Sequence, residues 1–206
     1  MVSKLLLVPW FMTVLYSSIP LFWFAIHPAA PLWRQNRRSP YVYLLPIWAL
    51  IIGSLSLATW PWHSAELYSG WWRALVALPA LVIFSGSLQT YRRIGPEFGI
   101  SNFIGENELR PQEESSAPVT SGLHRRMRHP IYIAHLTMMA AWTLASGLAV
   151  NFALLAISIL VTFPLMIWIE ERELEMRFGQ SYRDYKKNVP VIPGLRLHRH
   201  RAEEQA

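Results

Sequence analysis

A long run without charge constrains this chain more than any other feature of its sequence. The 41 residues between Arg128 and Glu170 contain no Asp, Glu, Lys or Arg. Because a helix of about 20 apolar residues spans a bilayer, this run is long enough for two membrane-crossing helices joined by a tight turn. Only 16% of the chain is charged, against roughly a quarter in soluble domains. The sequence therefore excludes an ordinary water-soluble globule.

Five apolar spans predict an all-α integral membrane bundle of about five transmembrane helices. They lie at about Leu5–Ile26, Tyr41–Trp60, Trp71–Thr90, Pro130–Ser146 and Leu148–Ile169. The last two are separated by a turn predicted at Ser146-Gly147. A large soluble helical bundle is the alternative, and it is disfavoured because long uncharged spans suit lipid better than water.

Positive charge in the loops predicts the orientation of the chain. The first loop carries three Arg, loop 61–70 carries neither Lys nor Arg, and loop 91–128 carries six Arg. Because cytoplasmic loops are enriched in Lys and Arg, five crossings place the amino terminus outside and the carboxyl terminus in the cytoplasm. Lys4 mildly opposes this orientation. We expect a multi-pass protein of a bacterial inner membrane or an endomembrane, surrounded by membrane lipids.

The net charge of +6 does not predict a nucleic-acid partner, because the excess is dispersed. Segment 91–128 holds six Arg against five Glu, and segment 170–206 holds eight basic against seven acidic residues. The chain has no Cys, which excludes disulfides, thiolate metal sites and Cys nucleophiles. His124 and His129 are five residues apart and no His-Glu-x-x-His motif occurs, so no metal site is expected.

The start of the fourth span is the first candidate site. Arg128, His129 and Pro130 stand there in sequence, followed by Tyr132. Proline suits the first turn of a helix, and the free amides of that turn attract anions. Arg128 would strengthen the attraction for a carboxylate or phosphate. The alternative is that Arg128 only anchors the topology and that His129 is an interfacial residue.

Two adjacent carboxylates, Glu170 and Glu171, end the uncharged fifth span and form the second candidate site. Ionisable groups at membrane depth are costly and usually have a partner. We expect Glu170 to pair with a cationic ligand, or with Arg125 or Arg128. The alternative is that the helix simply leaves the bilayer there. Pro164 is predicted to kink the same span beneath these carboxylates.

The segments that flank the last two spans are predicted to be functional as well. Loop 91–128 is too long for a simple connection, and Gly95-Pro96 and Gly99 predict turns within it. Glu170–Lys187 is predicted to form a surface helix whose apolar stripe lies on the bilayer interface. Gly179 is the point at which that helix can break.

Taken in order, these motifs resemble the isoprenylcysteine carboxyl methyltransferase family and the related phospholipid N-methyltransferases. The motifs are Val119-Thr120-Ser121-Gly122, Arg128-His129-Pro130-x-Tyr132, Glu170-Glu171-x-x-Leu174, Phe178-Gly179-x-x-Tyr182-x-x-Tyr185 and Val189-Pro190. The resemblance covers about residues 118–194. It implies S-adenosylmethionine-dependent methyl transfer in a membrane helical fold with a cytoplasmic cofactor pocket. Residues 91–206 would be the methyltransferase-like region, and residues 1–90 an amino-terminal part with three transmembrane helices.

The resemblance also implies roles for single residues. Those that it places in the cofactor pocket are Val119, His124, Arg128, His129, Pro130, Tyr132 and Glu170. Glu170 would be the acid that faces the cofactor, whose ammonium and sulfonium charges suit a carboxylate. Arg128 and the amides at the helix start would suit the cofactor's carboxylate. His124 falls where the family usually has a tyrosine that contacts the cofactor.

The acceptor is where the sequence departs from the family. Members that methylate a prenylcysteine carboxylate carry an Arg about four residues before the first Glu of the pair, and Met166 stands here. A prenylated carboxylate substrate would therefore need Arg172, our second candidate catalytic residue beside Glu170, or Arg125. A lipophilic amine, thiol or neutral acceptor is the other expectation. Two further alternatives are a sterol-reductase-like enzyme that uses a nicotinamide dinucleotide phosphate, and a non-catalytic cofactor- or lipid-binding membrane protein.

Overall fold

The computed structural model describes residues 4–35, 40–103, 109 and 118–192 of the chain. Within these residues the regular secondary structure is helical, and one isolated bridge joins Glu66 to Leu148. The predicted all-α fold is confirmed. The helices are α1 (Leu7–Ile26), α2 (Ala30–Gln35), α3 (Tyr41–Thr59), α4 (Trp71–Phe103), α5 (Pro130–Ser146), α6 (Ala149–Ile157), α7 (Phe163–Phe178) and α8 (Gln180–Asn188).

The helices of the described part have the length and composition of membrane spans. Four segments are long and apolar enough to cross a bilayer: Lys4–Trp33, Tyr41–Trp62, Trp71–Pro96 and Ala149–Phe178. Helix α5 has 17 residues, at the short end of what spans a hydrocarbon core of about 30 Å. Large apolar side chains such as Leu57 and Leu160 point outward, as they do in a protein that faces lipid. The chain is a membrane protein.

Helix α5 lies at the centre of the bundle, packed against α1 and along α4. Its Tyr132 and Met139 belong to a buried apolar cluster to which α1 contributes Phe22, Trp23 and Ile26. The other members are Leu44, Leu109, Phe163 and Met166. Because α1 contacts α3, α5, α6 and α7, the amino-terminal helix shares one core with the last helix pair.

The boundaries of several elements differ from the prediction. Helix α4 extends to Phe103, so Gly95 and Pro96 lie inside a helix and the turns predicted there are wrong. The division of the chain at 90/91 stays a prediction, and α4 runs continuously through it. Pro164 follows a π-helical turn, Ser158–Thr162. This wider turn lies just before Pro164, whose nitrogen cannot donate a backbone hydrogen bond.

The predicted surface helix Glu170–Lys187 is wrong in its first half. Helix α7 continues without interruption to Phe178, so Glu170 and Glu171 belong to the same helix as the apolar residues that precede them. The break expected at Gly179 is confirmed. This residue has a φ of 57°, and α8 begins directly after it. Only α8 is a separate helix at the carboxyl end of the described chain, and its Tyr182 is buried.

The turn between α5 and α6 forms hydrogen bonds with the loop that precedes α4 and with the start of α4. Gly147 ends α5 with a φ of 68°, and its carbonyl accepts the Leu67 amide at 2.8 Å. The Ala149 amide donates to the Ala65 carbonyl at 2.8 Å, and the Arg73 side chain donates to the Ser146 carbonyl at 3.1 Å. The predicted turn at Ser146-Gly147 is therefore a tertiary contact as well as a helix end.

Replacing Gly147 with Ala should destabilise the protein. A Cβ there would lie 2.6 Å from the Tyr68 carbonyl oxygen, and a positive φ in a non-glycine residue costs about 1–3 kcal/mol in addition. Gly53 in α3 is the control, because a Cβ there meets nothing within 4 Å. Thermal unfolding in detergent should show a clear loss of melting temperature for Gly147→Ala and none for Gly53→Ala. Equal melting temperatures for the two variants would contradict this account of the turn.

Candidate active site

The carboxylate of Glu171 contacts three cationic side chains from two separate segments of the chain. Its Oε1 accepts hydrogen bonds from Arg128 Nε at 2.7 Å and from His129 Nε2 at 3.2 Å, and its Oε2 lies 2.8 Å from Lys186 Nζ. The side chain of Glu171 is only 8% exposed. An ionised carboxylate is tolerated at such a site because three donors replace its water. Glu171 thus fixes the start of α5 against α7 and α8.

Arg128 is a structural clamp in this arrangement. Besides its bond to Glu171, its Nη1 donates to the carbonyls of Lys186 at 3.1 Å and Val189 at 2.5 Å. Its own amide donates to the Pro190 carbonyl. The sequence suggested that Arg128 could pair with Glu170 or bind the cofactor's carboxylate. The structure instead engages its Nε and Nη1 with protein acceptors, because the chain that follows α8 folds back over the start of α5.

Glu170 occupies the neighbouring position on α7 and faces the opposite side of His129. His129 Nδ1 lies 3.3 Å from Glu170 Oε2, and the Tyr132 hydroxyl also hydrogen-bonds this carboxyl group. The Tyr132 ring stacks on the imidazole with centroids 5.3 Å apart and planes 6° from parallel. His129 therefore bridges two carboxylates from one edge of the ring to the other. The long uncharged run brings residues 129 and 170 into contact.

The two carboxylates keep His129 protonated. Burial of the ring disfavours the imidazolium, but the charges and hydrogen bonds of Glu170 and Glu171 outweigh burial and raise the pKa of His129 to about 9. At His124 burial, together with the nearby charge of His129, lowers the pKa to about 4, so that ring is neutral. At neutral pH the site thus contains a cationic His129 between two acidic groups. A cationic imidazole can orient Glu170 but cannot accept a proton.

Three residues of the cluster were missed by sequence reasoning: His27, Glu173 and Arg177. Glu170, Glu173 and Arg177 follow one another at spacings of three and four on one face of α7. His27 comes from the turn after α1, stacks on Trp23 at 5.1 Å, and lies within electrostatic reach of all three. The spacing on α7 was a readable signal. Nothing local in the sequence marked His27, which reaches the site through tertiary packing.

Of the other residues predicted for the site, His124 interacts electrostatically with His129 and Glu170, whereas the side chains of Arg172, Arg125 and Val119 are exposed. Arg172 is exposed and its guanidinium lies over the Trp168 ring at 4.8 Å, because two residues of helix rotate it by about 200° from Glu170. The structure does not bring this candidate catalytic residue to the cluster. His124 is buried on a short 3₁₀ turn, and its backbone carbonyl accepts a hydrogen bond from the Tyr185 hydroxyl at 2.7 Å.

Met166 is fully buried one helical turn before Glu170. It packs in the apolar cluster with Tyr132 and Phe163. The position at which the carboxylate-methylating relatives carry an Arg is therefore an apolar contact in this chain. Among the described residues no group of three or more His, Asp or Glu has the arrangement of a metal site.

Comparison with known proteins identifies the fold that holds this cluster. Residues 72–181, just over half of the chain, match the phospholipid methyltransferase family. The chain belongs to this family. The match begins at α4 and includes Arg128, His129, Glu170, Glu171 and Arg177. It confirms the membrane methyltransferase assignment made from the motifs, and it adds α4, whose sequence had shown only a generic apolar span.

One curated relative is similar over part of its length. A methanethiol S-methyltransferase from Pseudomonas deceptionensis is 31% identical over 101 residues, which cover 48% of this chain. The aligned part covers 37% of that protein, so the chain spans well under half of its relative's length. No solved structure matches the chain. The family segment excludes α1 to α3, so His27 lies outside the part of the chain that the family defines.

The protonated His129 predicts a loss of stability at alkaline pH. Because its folded pKa of about 9 lies above the ordinary 6.5, its contribution is complete below pH 6.5 and disappears as the pH rises through 9. The melting temperature in detergent should fall between pH 6.5 and 9.5. The fall should be smaller in His129→Gln and unchanged in His63→Gln, a histidine in the loop before α4. A wild-type melting temperature that stays constant over this window would contradict a charged His129.

Proposed function

We propose that the protein is an S-adenosylmethionine-dependent methyltransferase that acts on a lipophilic acceptor. The observation that carries the proposal is the buried group of His129, Tyr132, Glu170 and Glu171, which lies within the family segment at the meeting of α5 and α7. Family membership favours methyl transfer over the sterol-reductase alternative. It leaves the non-catalytic alternative to experiment.

The chemistry of the cluster suits this cofactor. S-adenosylmethionine carries a sulfonium, an ammonium and a carboxylate, and its activated methyl group leaves the sulfonium sulfur during transfer. Glu170, whose side chain is 14% exposed, would hold the cationic groups at close range because a carboxylate in a desolvated site attracts cations strongly. The stacked rings of His129 and Tyr132 offer flat faces beside it. Pro130 begins the helix that carries these rings.

The protein's part in the reaction is binding, orientation and exclusion of water. No nucleophile on the chain would be required, since bound S-adenosylmethionine would supply an already activated methyl group to the acceptor. Positioning two reactants can supply several kcal/mol of rate enhancement, about 7–11 kcal/mol in the best aligned cases. His129, held by Glu171 and cationic at neutral pH, would keep Glu170 in one orientation. A proton lost by the acceptor must therefore pass to another group or to solvent.

The apolar surroundings of Met166 support a thiol or amine acceptor over a carboxylate. The sequence suggested Arg125 or Arg172 as the cation that a carboxylate acceptor would need beside the methyl donor, and both side chains point outward. The two matches are named for acceptors of the other kind, a thiol in the relative and a phospholipid in the family. We therefore favour a lipophilic thiol or an amine-bearing lipid over a prenylated carboxylate.

Methyl transfer can be measured with purified protein and S-adenosylmethionine carrying a radiolabelled methyl group. The acceptors are an alkyl thiol, phosphatidylethanolamine and a farnesylated cysteine. We expect label on the thiol or the amine, and at least about a hundredfold slower transfer in Glu170→Gln, if a charge-assisted contact worth about 3 kcal/mol is lost. Glu175→Gln is the control, because Glu175 lies on the same helix, is 34% exposed and pairs with Lys186.

Two results would contradict this proposal. Base-labile label on the farnesylated cysteine would show a carboxylate acceptor despite Met166. Binding of S-adenosylhomocysteine without transfer to any of the three acceptors or to a lipid extract would support the non-catalytic alternative.

We also propose that the amino terminus lies outside and the cluster faces the cytoplasm, as the loop charges indicate. The absence of Cys allows single cysteines to report sidedness. Ser64 in the loop before α4 and Ser181 in α8 are both exposed. In intact cells an impermeant maleimide should label Ser64→Cys and not Ser181→Cys. Labelling of Ser181→Cys alone would reverse the orientation.

A further inference from the structure

We propose that Arg177, together with Glu170, Glu173 and His27, forms a subsite for a zwitterionic group in which an ammonium lies next to an oxyanion. The guanidinium would take the oxyanion, and the two carboxylates would take the ammonium. The inference rests on the proposed function and deepens it, because it states which end of a ligand is held and by which residues. It also brings α1 into the binding site.

Arg177 lies on the face of α7 that carries Glu170 and Glu173. It follows Glu170 by about two turns of the helix and Glu173 by about one turn. His27, which follows α1, approaches the same face and interacts electrostatically with Glu170, Glu173 and Arg177. The turn His27–Ala29 packs directly on α7. A ligand held by Glu170 would therefore have a cation within reach along the same helix.

The Arg177 side chain is largely buried and makes few hydrogen bonds to the described residues. It is 10% exposed, and its Nη1 lies 4.0 Å from Glu173 Oε2, beyond hydrogen-bonding distance. In the described part of the chain, neither Nε nor Nη1 of Arg177 has a hydrogen-bond partner. The Phe178 ring covers one face of the guanidinium at 4.6 Å, and the donors of a guanidinium lie along its edge.

A buried guanidinium with unused donors is costly unless a ligand supplies the acceptor. Burying a polar group without a hydrogen bond is unfavourable, and the cost is larger for a charged group. A carboxylate or phosphate can accept two parallel bonds from one guanidinium edge, which makes an oxyanion the ligand that best removes this cost. The nearby carboxylates of Glu170 and Glu173 would repel a lone anion. They would favour one that carries an ammonium beside it.

Arg128 provides the contrast within the same site. Its Nε and Nη1 already donate to Glu171 and to two backbone carbonyls. It therefore has less to offer a ligand than Arg177. The anion-binding role that the sequence suggested for Arg128 is better filled one helix away.

Two ligands would present this chemistry at such a site. One is the amino-acid end of the cofactor, with its ammonium and carboxylate on a single carbon. The other is the headgroup of an amine-bearing phospholipid, with its ammonium two carbons from a phosphate. Both need the same guanidinium, and they differ in the anion. A thermodynamic cycle on Arg177 distinguishes them.

The experiment is titration calorimetry on the full chain in detergent, with two pairs of probes. The first pair is S-adenosylhomocysteine and its decarboxylated counterpart, and the second is phosphoethanolamine and ethanolamine. Wild type should prefer the anion-bearing member of one pair by about ten- to a hundredfold, the range expected for hydrogen bonds to a charged group. In Arg177→Met the ratio of the two affinities should fall towards one. In Arg177→Lys the ratio should be intermediate, because lysine keeps the charge but cannot donate two parallel hydrogen bonds.

Arg183→Met is the matched control. Arg183 is exposed on α8 and its side chain donates to the Gln180 side chain at 3.0 Å, so its replacement should leave both preferences unchanged. Melting temperatures of all variants report folding. If Arg177→Met unfolds, Arg177→Lys and Glu173→Gln carry the comparison, since one lowers the preference for the anion and the other weakens binding of the ammonium.

The outcomes separate the inference from the proposed function. Loss of the preference in the first pair assigns the subsite to the cofactor, and loss in the second pair assigns it to a phospholipid headgroup. Wild type that prefers an anion-bearing probe equally with and without Arg177 overturns the inference while leaving the methyltransferase proposal intact. Failure of wild type to bind S-adenosylhomocysteine overturns the proposed function, and the phosphoethanolamine pair still decides the role of Arg177.

Discussion

The ion cluster around Glu171 is the interaction on which the rest of the site depends. One carboxylate, almost fully buried, receives Arg128 and His129 from the start of α5 and Lys186 from α8. A buried charge is expensive, and removing one partner of such a group typically costs about 3–5 kcal/mol. The three donors therefore have to arrive together. These contacts fix the distance between the start of α5 and the middle of α7, whose contacting residues are 42 and 43 positions apart in the sequence.

The two adjacent glutamates have different surroundings: Glu171 contacts cations of the protein, and Glu170 is the one proposed to bind a ligand. Successive residues of a helix point about 100° apart, so Glu171 faces α5 and α8 while Glu170 faces the other edge of His129. Glu171 is satisfied by protein cations and holds the architecture. Glu170, Glu173 and Arg177 form the face that a ligand would meet, with His27 of the turn after α1 opposite. The cationic His129 connects the two halves of the cluster.

Much of this organisation follows from the sequence, and the exceptions have physical causes. The predicted fourth span matches α5, Pro130–Ser146, because Pro130 begins the helix and Gly147 ends it. The fifth span was predicted too short, because α7 continues past Ile169 to Phe178. The ordered motifs correctly indicated a membrane methyltransferase. Helix α4 was predicted too short because Gly95 and Pro96 are tolerated inside a long helix.

The pairing of individual charges could not be read from the sequence. Arg128 was expected to meet Glu170 or a ligand, but which of two neighbouring carboxylates it contacts depends on the rotation of α7. Arg172 stands two residues from Glu170 and yet faces outward for the same reason. His27 reaches the site from the turn after α1, more than a hundred residues away in the sequence, and Met166 is seen to be a core residue only once its neighbours are known.

The central role of the Glu171 cluster is tested most directly by comparing Glu171→Gln with Glu175→Gln. Both residues contact Lys186, but only Glu171 also contacts Arg128 and His129. Thermal unfolding and calorimetry with S-adenosylhomocysteine should show that Glu171→Gln loses both stability and ligand binding, whereas Glu175→Gln keeps them. Equal melting temperatures and equal affinities in the two variants would contradict the central place of the Glu171 cluster.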